Sequence, residues 1–270
     1  MDMPRLYADL AWLWPVLSPP GDYVSEAATI DAILIERLGE GPKRVLELGA
    51  GGGHTLVHLL ALGAERSKAC GGWGGEHTGV AVDLSEAMLE RCRALIPGVD
   101  ARLGDMRDVR LGERFDAVLI HDAVDYLLTE ADVRRTLATV REHLLPGGLA
   151  LIAPTYVAET FEAGDYAEDV PEPDAYGGAV LAAHGVSALS YSTRLGDVSD
   201  DGTFAMTLTY RIFHADGRLE TAEDRHRCGL FAEDAWLAWM EQVGLPAERF
   251  EQGAAGDGGA WTLFVGRARG

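Results

Sequence analysis

The chain has 270 residues, of which 47% are apolar, and its 43 Asp and Glu outnumber its 23 Lys and Arg, giving a formal net charge of −20 at pH 7. This length allows one large α/β domain with an insertion or two modest domains, and the apolar runs are far shorter than a membrane span. The charge balance excludes a long nucleic acid as the expected partner; it favours solubility or, alternatively, attraction for cationic or amine ligands.

Strands and helices alternate through the predicted elements of the first 155 residues. A short apolar helix ending near Pro15 precedes a helix over Val24–Leu38, whose apolar residues recur at helical spacing. The elements expected next, in chain order, are the strand Arg44–Leu48, a glycine turn, a helix with Leu56, Leu59 and Leu60 on one face, the strand 80–83, the helix 85–95, the strand near 100–105, the strand 115–122, the helix Thr129–Leu145 and the strand 149–154. This alternation predicts an α/β fold with a doubly wound parallel sheet.

A different pattern follows the fifth strand. In "FAMTLTYRIF" (204–213) every second side chain is a larger apolar one, and the Asp-Gly pairs at 201–202 and 216–217 are typical of hairpin turns. We therefore expect an inserted antiparallel β-sheet of about three strands, over Ser187–Val198, Thr203–Phe213 and Leu219–Leu230. A helix with Trp236, Trp239, Met240 and Val243 that ends at Gly244, and a strand over 261–268, then complete the α/β pattern.

The segment "RVLELGAGGG" (44–53) places a glycine turn directly between a strand and a helix. Gly49, Gly51 and Gly53 allow close approach to the backbone, and the helix N-terminus offers free N–H groups. This pattern alone is also found in dinucleotide enzymes and in tight structural turns. Glu47, before the turn, would repel a phosphate but suits an ammonium group, and Asp83 ends the next strand, where an acid can accept both ribose hydroxyls. Together these residues predict S-adenosylmethionine (SAM), which joins adenosine to a positively charged amino acid.

Five ordered motifs resemble those of the class I SAM-dependent methyltransferases. They are "VLELGAGGGHT", "AVDLSEAML", "RLGDMRD", "FDAVLIHDAVDYL" and "LLPGG". The resemblance implies a Rossmann-like, mostly parallel sheet of seven strands, with Glu47 near the methionine amino group and Asp83 on the ribose. The other cofactor-binding residues that it implies are Gly49, Ala50, Gly51 and Gly53 beside the SAM chain, Leu84, Met88 and Met106 in the adenine pocket, and Asp105 at the adenine amino group. The glycine-rich stretch 65–79 departs from the family pattern because it lengthens the segment before Asp83.

Three further segments resemble the sugar N,N-dimethyltransferases of aminosugar biosynthesis. They are "LYADL…GDYVSEA" near the front, "APTYVAETF" after the fifth strand and "EDRHRCGLF" before the late helix. In that group an inserted antiparallel sheet shapes the acceptor pocket and often a dimer interface. The resemblance implies that Tyr7 and Tyr23 close over SAM. It also divides the chain into an N-terminal helical cap (1–40), a SAM-binding core (41–155), the inserted sheet (156–230) and a C-terminal helix and strands (231–270).

The candidate catalytic residues lie in "IHDAVDYL" (120–127), at the carboxyl end of the fourth strand. His121 is interpreted as a general base or acceptor-orienting group, or else as a histidine bonded to the backbone beneath SAM. Asp122 either binds an amine acceptor or caps the following turn, and Tyr126 either faces the acceptor, as the aminosugar relatives imply, or is a core aromatic. His226 and Arg227 either reach the pocket from the inserted sheet or lie on a solvated strand face, which is the favoured interpretation.

No metal site is predicted, because His54 and His58 lack the Glu of an HExxH pattern. Cys70, Cys92 and Cys228 show no CxxC and no paired spacing, so we interpret them as buried or idle thiols. Such thiols are typical of a reducing compartment, and the N-terminus shows no charged leader, so we expect a cytoplasmic protein. The exposed edges of the inserted sheet favour a homodimer.

These observations predict a SAM-dependent methyltransferase for a small molecule, with a nitrogen acceptor favoured over oxygen. The alternatives are an O-methyltransferase, a non-catalytic SAM-binding scaffold protein and an NAD(P)-dependent oxidoreductase. The oxidoreductase is disfavoured by Glu47 and by "LGDMRD" (103–108).

Overall fold

The structure is a computed structural model and describes residues 3–69, 75–250 and 261–270. Its helices are α1 (Trp14–Leu17), α2 (Val24–Leu38), α3 (His54–Ala69), α4 (Glu86–Leu95), α5 (Glu130–His143), α6 (Ala175–Ala183) and α7 (Glu233–Gln242). Its strands are β1 (Arg44–Leu48), β2 (Thr78–Asp83), β3 (Asp100–Leu103), β4 (Phe115–His121), β5 (Leu144–Ala153), β6 (Gly164–Asp165), β7 (Val186–Leu195), β8 (Thr203–His214), β9 (Leu219–Gly229), β10 (Ala247–Phe250) and β11 (Leu263–Arg267). Short 3₁₀ helices lie at Arg5–Tyr7, Ala11–Leu13, Pro20–Tyr23 and Ala123–Tyr126.

Seven strands of the described residues form one sheet, in the order β10-β11-β5-β4-β1-β2-β3. The strands from β5 to β3 pair in parallel, whereas β11 pairs antiparallel with both β5 and β10. The predicted seven-stranded, mostly parallel sheet is therefore confirmed. The strand order reverses between β1 and β4, which is where doubly wound sheets bind ligands beyond the carboxyl ends of their strands.

Both faces of this sheet are covered, and β1 shows why its sequence is almost continuously apolar. Val45 packs with α2 on one face, while Leu46 and Leu48 pack on the other face with α5 and α7. Successive side chains of a strand point to opposite faces, so a strand between two helical layers needs apolar residues at both odd and even positions. The rigid ends of such strands position the functional site.

A second, antiparallel sheet has the order β6-β7-β8-β9 among the described residues. The predicted insertion is confirmed, and its alternation holds, since Phe204, Leu208 and Ile212 are buried while Phe213 is exposed. This sheet shares a core with the N-terminal segment. The residues of that shared core are Leu6, Leu10, Leu13, Val16, Leu181, Val186, Leu189, Leu208, Tyr210, Ile212 and Ala222.

The structure corrects the sequence prediction in four places. The N-terminal segment forms two 3₁₀ turns and the short α1, and Pro15 lies at the start of α1 rather than at a helix end. α6 was not predicted, because its two glycines are poor helix formers. The two-residue β6 and the mostly exposed β10 were also not predicted, since neither carries an apolar alternation.

Cys92 and Cys228 are free and buried. Cys70, and with it residues 71–74 of the glycine-rich stretch, lies outside the described residues. No helix in the described ranges combines the length and apolar content needed to cross a membrane.

Candidate functional site

The glycine turn joins β1 to α3 and lies at the switch point of the sheet. The backbone N–H groups of Gly49 and Ala50 donate to the Val82 carbonyl at 2.8 and 3.0 Å, which holds the turn against the end of β2. Gly49 has φ +70°, and a Cβ there would lie 2.2 Å from Cβ of Ala123. At Gly53, with φ +78°, a Cβ would lie 2.6 Å from Sγ of Cys92. These two glycines are thus required by the backbone conformation and by protein neighbours as well as by any ligand.

Glu47 is buried beneath this turn, with only 3% of its surface exposed. Its Oε2 atom has no hydrogen-bond partner, and burial raises the pKa of the carboxyl group to about 8. The charge of His121 opposes that rise in pKa. A buried polar atom without a partner costs free energy, so this oxygen calls for a donor from outside the chain.

Asp83 connects the turn to the next helix. Its two carboxylate oxygens accept from the N–H groups of Gly51 and Ser85, each at 2.8 Å. Burial nevertheless raises the pKa of Asp83. The side chain of Leu84 is 57% exposed beside it, while Met88 is fully buried and lies under Gly51.

Asp105 is engaged by its own neighbour rather than left free. Its carboxylate accepts from Nε and Nη2 of Arg107, at 3.0 and 2.6 Å, and the pKa of Asp105 is lowered by that hydrogen bond. Met106 packs against the core of the main sheet. An adenine amino group would therefore have to compete with Arg107 for the Asp105 carboxylate.

Aromatic side chains from the N-terminal segment cover the glycine turn. Tyr23 donates to or accepts from Oγ of Ser18 at 2.6 Å, and its ring centroid lies 5.5 Å from that of His54 and 5.7 Å from that of His121. Tyr7 is anchored on the other side of the turn, where the Ser85 hydroxyl donates to the Tyr7 carbonyl. Tyr23 thus lies beside the first residue of α3, and the Tyr7 backbone beside the residue that caps α4.

His121 ends β4 between two carboxylates. Its Nε2 lies 2.9 Å from Oε2 of Glu26 and its Nδ1 lies 3.2 Å from Oδ2 of Asp122. Burial alone would lower the pKa of His121, but the two carboxylates offset it and hold that pKa well above the ordinary value. A carboxylate thus lies within ion-pair distance of each ring nitrogen, which favours the protonated ring, and in that form His121 has no lone pair to accept a proton. This geometry favours the orienting interpretation over the general base.

A cleft of about 360 Å³ opens beside His121. Its lining residues are Ser18, Asp22, Tyr23, Glu26, His121, Asp122, Ala153, Pro154, Thr155 and Trp261. Three of them are carboxylates, so the cleft favours a cation over an anion.

The turn after β4 is strained and contains a second buried acid. Asp122 has φ +59°, and within the described ranges it is the only residue other than glycine with a positive φ. Thr155 donates to its Oδ1 at 3.0 Å. Asp125 is 6% exposed, and burial, together with the charge of Asp122, raises its pKa well above the ordinary value. Strain of this kind persists where the surroundings over-determine it, often at functional sites.

Tyr126 belongs to a different hydrogen-bonded group from His121. Its hydroxyl lies 2.8 Å from the Tyr7 hydroxyl and 2.7 Å from Nδ1 of His226, whose Nε2 lies 3.0 Å from Oδ2 of Asp224. His226 is 1% exposed, so its favoured assignment to a solvated strand face is wrong. Arg227, the next residue, does face solvent and pairs with Asp201.

Sequence reasoning missed Glu26, Asp125 and Asp224. Glu26 is remote in sequence from His121, and only the packing of α2 against the main sheet brings the two together. Asp224 and His226 share one face of β9 because they are two residues apart, a signal that was available in "EDRHR". Within the part of the chain that the structure describes, no group of three or more His, Cys, Asp or Glu could hold a metal ion.

Comparisons with known proteins point to one group. A family model for a methyltransferase domain matches residues 45–148. The dTDP-3-amino-3,4,6-trideoxy-alpha-D-glucopyranose N,N-dimethyltransferase of Streptomyces venezuelae is 30% identical, with 91% of this chain and 91% of that protein covered. The dTDP-4-amino-2,3,4,6-tetradeoxy-D-glucose N,N-dimethyltransferase of Saccharopolyspora spinosa is also 30% identical, over 91% of this chain and 86% of that protein.

Solved structures agree in fold. The crystal structure of Streptomyces venezuelae DesVI is 27% identical, with a TM-score of 0.72 over 97% of this chain and 96% of that chain. The sugar N-methyltransferase KedS8 from a Streptoalloteichus species reaches a TM-score of 0.75 over 100% of this chain and 95% of that chain. At 22% identity, the likeness to KedS8 shows the fold alone.

Proposed function

We propose the acceptor of this enzyme from its family, since the chain belongs to the class I SAM-dependent methyltransferases and, within them, to the sugar N,N-dimethyltransferases. The enzyme transfers methyl groups from SAM to the amine nitrogen of a small molecule. The acceptor class is a nucleotide-linked amino sugar, as in the names of the relatives. Hydroxyl methylation has no specific observation in its favour.

The described residues fit SAM, and Glu47 carries that fit. Its buried and unpartnered Oε2 matches the ammonium group of the methionine part, which no neutral or phosphate-bearing ligand would supply. Gly49, Ala50, Gly51 and Gly53 would border the methionine chain, Asp83 the ribose, and Leu84, Met88, Asp105 and Met106 the adenine. When bound, SAM supplies a methyl group made electrophilic by its sulfonium.

The residues of this chain contribute alignment and exclusion of water. Methyl transfer needs the nitrogen lone pair in line with the methyl group, and such positioning can lower a barrier by up to about 7–11 kcal/mol. Tyr7 and Tyr23 would cover the glycine turn, and the imidazolium of His121, fixed by Glu26 and Asp122, would hold the β4 end in place. Asp122, which lines the cleft beside His121, would attract the acceptor amine.

Two measurements test this function. Calorimetry with S-adenosylhomocysteine and with NADH separates a methyltransferase site from a dehydrogenase site, because only the former binds the thioether. A panel of nucleotide-linked amino sugars, simple amines and phenols, analysed for S-adenosylhomocysteine formation, separates nitrogen from oxygen acceptors. Thioether binding without turnover of any acceptor would instead support the non-catalytic scaffold.

We also propose that the protein is a cytoplasmic homodimer. β9 is an edge strand of the inserted sheet and its Leu219 is 54% exposed, and unpaired sheet edges favour association. The free, buried Cys92 and Cys228 are consistent with a reducing compartment. Analytical ultracentrifugation of the wild type and of Leu219→Lys tests the dimer, which the substitution should dissociate.

A further inference from the structure

Four side chains from three separate segments form one continuous chain of hydrogen bonds. Tyr7 comes from the N-terminal segment, Tyr126 from the 3₁₀ turn after β4, and His226 and Asp224 from β9. The successive distances are 2.8 Å between the tyrosine oxygens, 2.7 Å from Tyr126 to Nδ1 of His226, and 3.0 Å from Nε2 of His226 to Asp224. We call these four residues the Tyr7–Asp224 chain.

The anchoring of Asp224 sets the direction of every bond in the form of the protein in which His226 is neutral. Its carboxylate already accepts from the N–H groups of Arg5 and Leu6, at 2.9 and 2.7 Å, so it acts as an acceptor for His226. A neutral His226 then donates from Nε2 and accepts at Nδ1. Consequently Tyr126 donates to His226, and Tyr7 donates to Tyr126.

This assignment leaves one basic atom, the Tyr7 oxygen, at the end of the Tyr7–Asp224 chain that is remote from Asp224. The Tyr7 oxygen donates its proton to Tyr126, so its lone pairs remain open to a donor. Tyr7 is half-buried and is fixed beside the Asp83 turn by the Ser85 hydroxyl. At the other end, His226 and Asp224 are only 1% and 2% exposed, so bulk water does not replace these bonds.

We propose that the Tyr7–Asp224 chain is a proton relay that takes the proton of the acceptor ammonium, with His226 and Asp224 as positioning residues acting through the two tyrosines. This inference rests on the proposed amine acceptor, because an ammonium nitrogen has no lone pair until it loses a proton. The N–H bond of the acceptor breaks and its proton goes to the Tyr7 oxygen. The Tyr7 proton passes to Tyr126, and the Tyr126 proton passes to Nδ1 of His226. The result is a neutral amine and an imidazolium paired with Asp224. Methyl transfer then gives a methylammonium that already carries all its protons, so the relayed proton passes back along the same four residues to water once the product has left.

One carboxylate lies in direct contact with His226. Asp224 is the carboxylate in contact with it, and burial of Asp224 is offset by the hydrogen bonds from His226 and from two backbone N–H groups, which lower its pKa. The other titratable groups near the chain, from all the elements packed on it, are Arg5, Asp9, Asp83, Asp122, Asp125, Tyr210 and Cys228. No lysine lies among them.

One arm of the test needs neither SAM nor an acceptor. Nitrogen-15 NMR of the histidine-labelled full chain at pH 7, with His226→Gln to assign the signal, reports which ring nitrogen carries the proton. The relay requires Nε2 protonated and Nδ1 unprotonated, and it requires Tyr126→Phe to shift the Nδ1 signal. A proton on Nδ1 at pH 7, in a neutral or in a charged ring, would overturn the relay, whatever the acceptor.

The second arm is the pH profile of kcat and KM with an amine acceptor. At pH 7, Tyr126→Phe and His226→Gln should lower kcat by about 10²–10³-fold, in the range of a lost proton acceptor, while KM changes less. At about pH 9.5 much of the acceptor amine is already neutral in solution, so the loss of kcat in the variants should shrink at least about tenfold. A ratio of variant kcat to wild-type kcat that stays constant from pH 7 to 9.5 would overturn the relay.

His77→Gln is the matched control. His77 is also a buried histidine whose Nε2 contacts a carboxylate, Asp31 at 3.1 Å, but it lies between α2 and α3, away from Tyr7 and Tyr126. His77→Gln should lower the stability of the protein without altering the pH profile of kcat and KM. If His226→Gln does not fold, Tyr126→Phe still tests the relay, because this variant keeps the aromatic ring and removes only one hydroxyl. Failure of wild type to methylate any amine would refute the proposed acceptor, and the NMR arm would still decide the proton arrangement.

Discussion

Glu47 provides the most direct test of cofactor recognition at the scale of a single residue. Because burial raises its pKa to about 8, the carboxyl group is mostly protonated at pH 7 without ligand. An ammonium group at Oε2 would favour the carboxylate, so binding should release a proton. We expect S-adenosylhomocysteine binding to release close to one proton at pH 7 and little above pH 9, with affinity rising up to about tenfold per pH unit below 8. Calorimetry in buffers of different ionisation enthalpy measures this release.

Glu47→Gln is the control for that measurement. The variant keeps the size of the side chain but has no proton to lose, so the buffer dependence should disappear. Proton release that persists in Glu47→Gln, or none in wild type, would mean that the methionine amino group binds elsewhere.

His121 makes a second prediction at the residue scale, about stability against pH. Its pKa in the folded state is raised by Asp122 and Glu26, so this contribution to stability is complete below the unfolded value of about 6.5 and is lost as pH rises through the folded value. Glu26→Gln should therefore reduce the free energy of unfolding by about 1–3 kcal/mol at pH 6 and by less at high pH. Denaturant titrations across pH measure the difference. Glu130→Gln, which breaks an exposed pair with Arg134, should cost close to nothing at any pH; equal losses in the two variants would contradict this account of His121.

The glycine turn is the element that depends most on side-chain-free positions. Gly49→Ala would place a Cβ 2.2 Å from Cβ of Ala123 at φ +70°, so both overpacking and a left-handed alanine should destabilise the protein, by about 2–5 kcal/mol together. Gly98→Ala has a similar φ of +84° with no atom within 4 Å, and isolates the backbone cost. Thermal unfolding of both variants, and of the double variant Gly49→Ala with Ala123→Gly, measures the stability lost to the close contact. Equal losses in Gly49→Ala and Gly98→Ala, or no recovery in the double variant, would remove the close contact from the explanation.

At the element scale, prediction from sequence succeeded where one local signal was strong. The bounds of β1 and α2 were predicted as the structure has them, because a buried apolar run and a helical repeat end at Gly49 and Gly39. α6, β6 and β10 were missed because they are held by neighbours rather than by their own pattern. The division of the chain at residues 40, 155 and 230 stays a prediction.

At the scale of the whole molecule, the N-terminal segment and the inserted sheet form one packing unit. Ile212 of β8 is 1% exposed in the core that they share. Ile212→Ala should cost about 2–5 kcal/mol and speed amide hydrogen exchange in residues 186–229 and also in 5–17. Mass-spectrometric exchange measures both segments. Ile152→Ala, in the core of the main sheet, is the matched control, and unchanged exchange in 5–17 for Ile212→Ala would contradict a shared unit.

The candidate site depends on this whole-molecule packing, which is why the sequence revealed only part of it. Glu47, the glycines and Asp83 lie in consecutive motifs, so their proximity follows from strand order alone. Tyr7, Tyr126 and His226 are more than 90 residues apart in sequence and meet only because the N-terminal segment and β9 pack on one another. No local pattern encodes that contact.

Mass spectrometry of the reaction between SAM and the panel of nucleotide-linked amino sugars tests the proposed function most directly. The account predicts formation of S-adenosylhomocysteine, with one and then two methyl groups on the amine nitrogen of an amino sugar. Methylation of a hydroxyl group instead, or binding of S-adenosylhomocysteine with no methylated product from any amine, would contradict it.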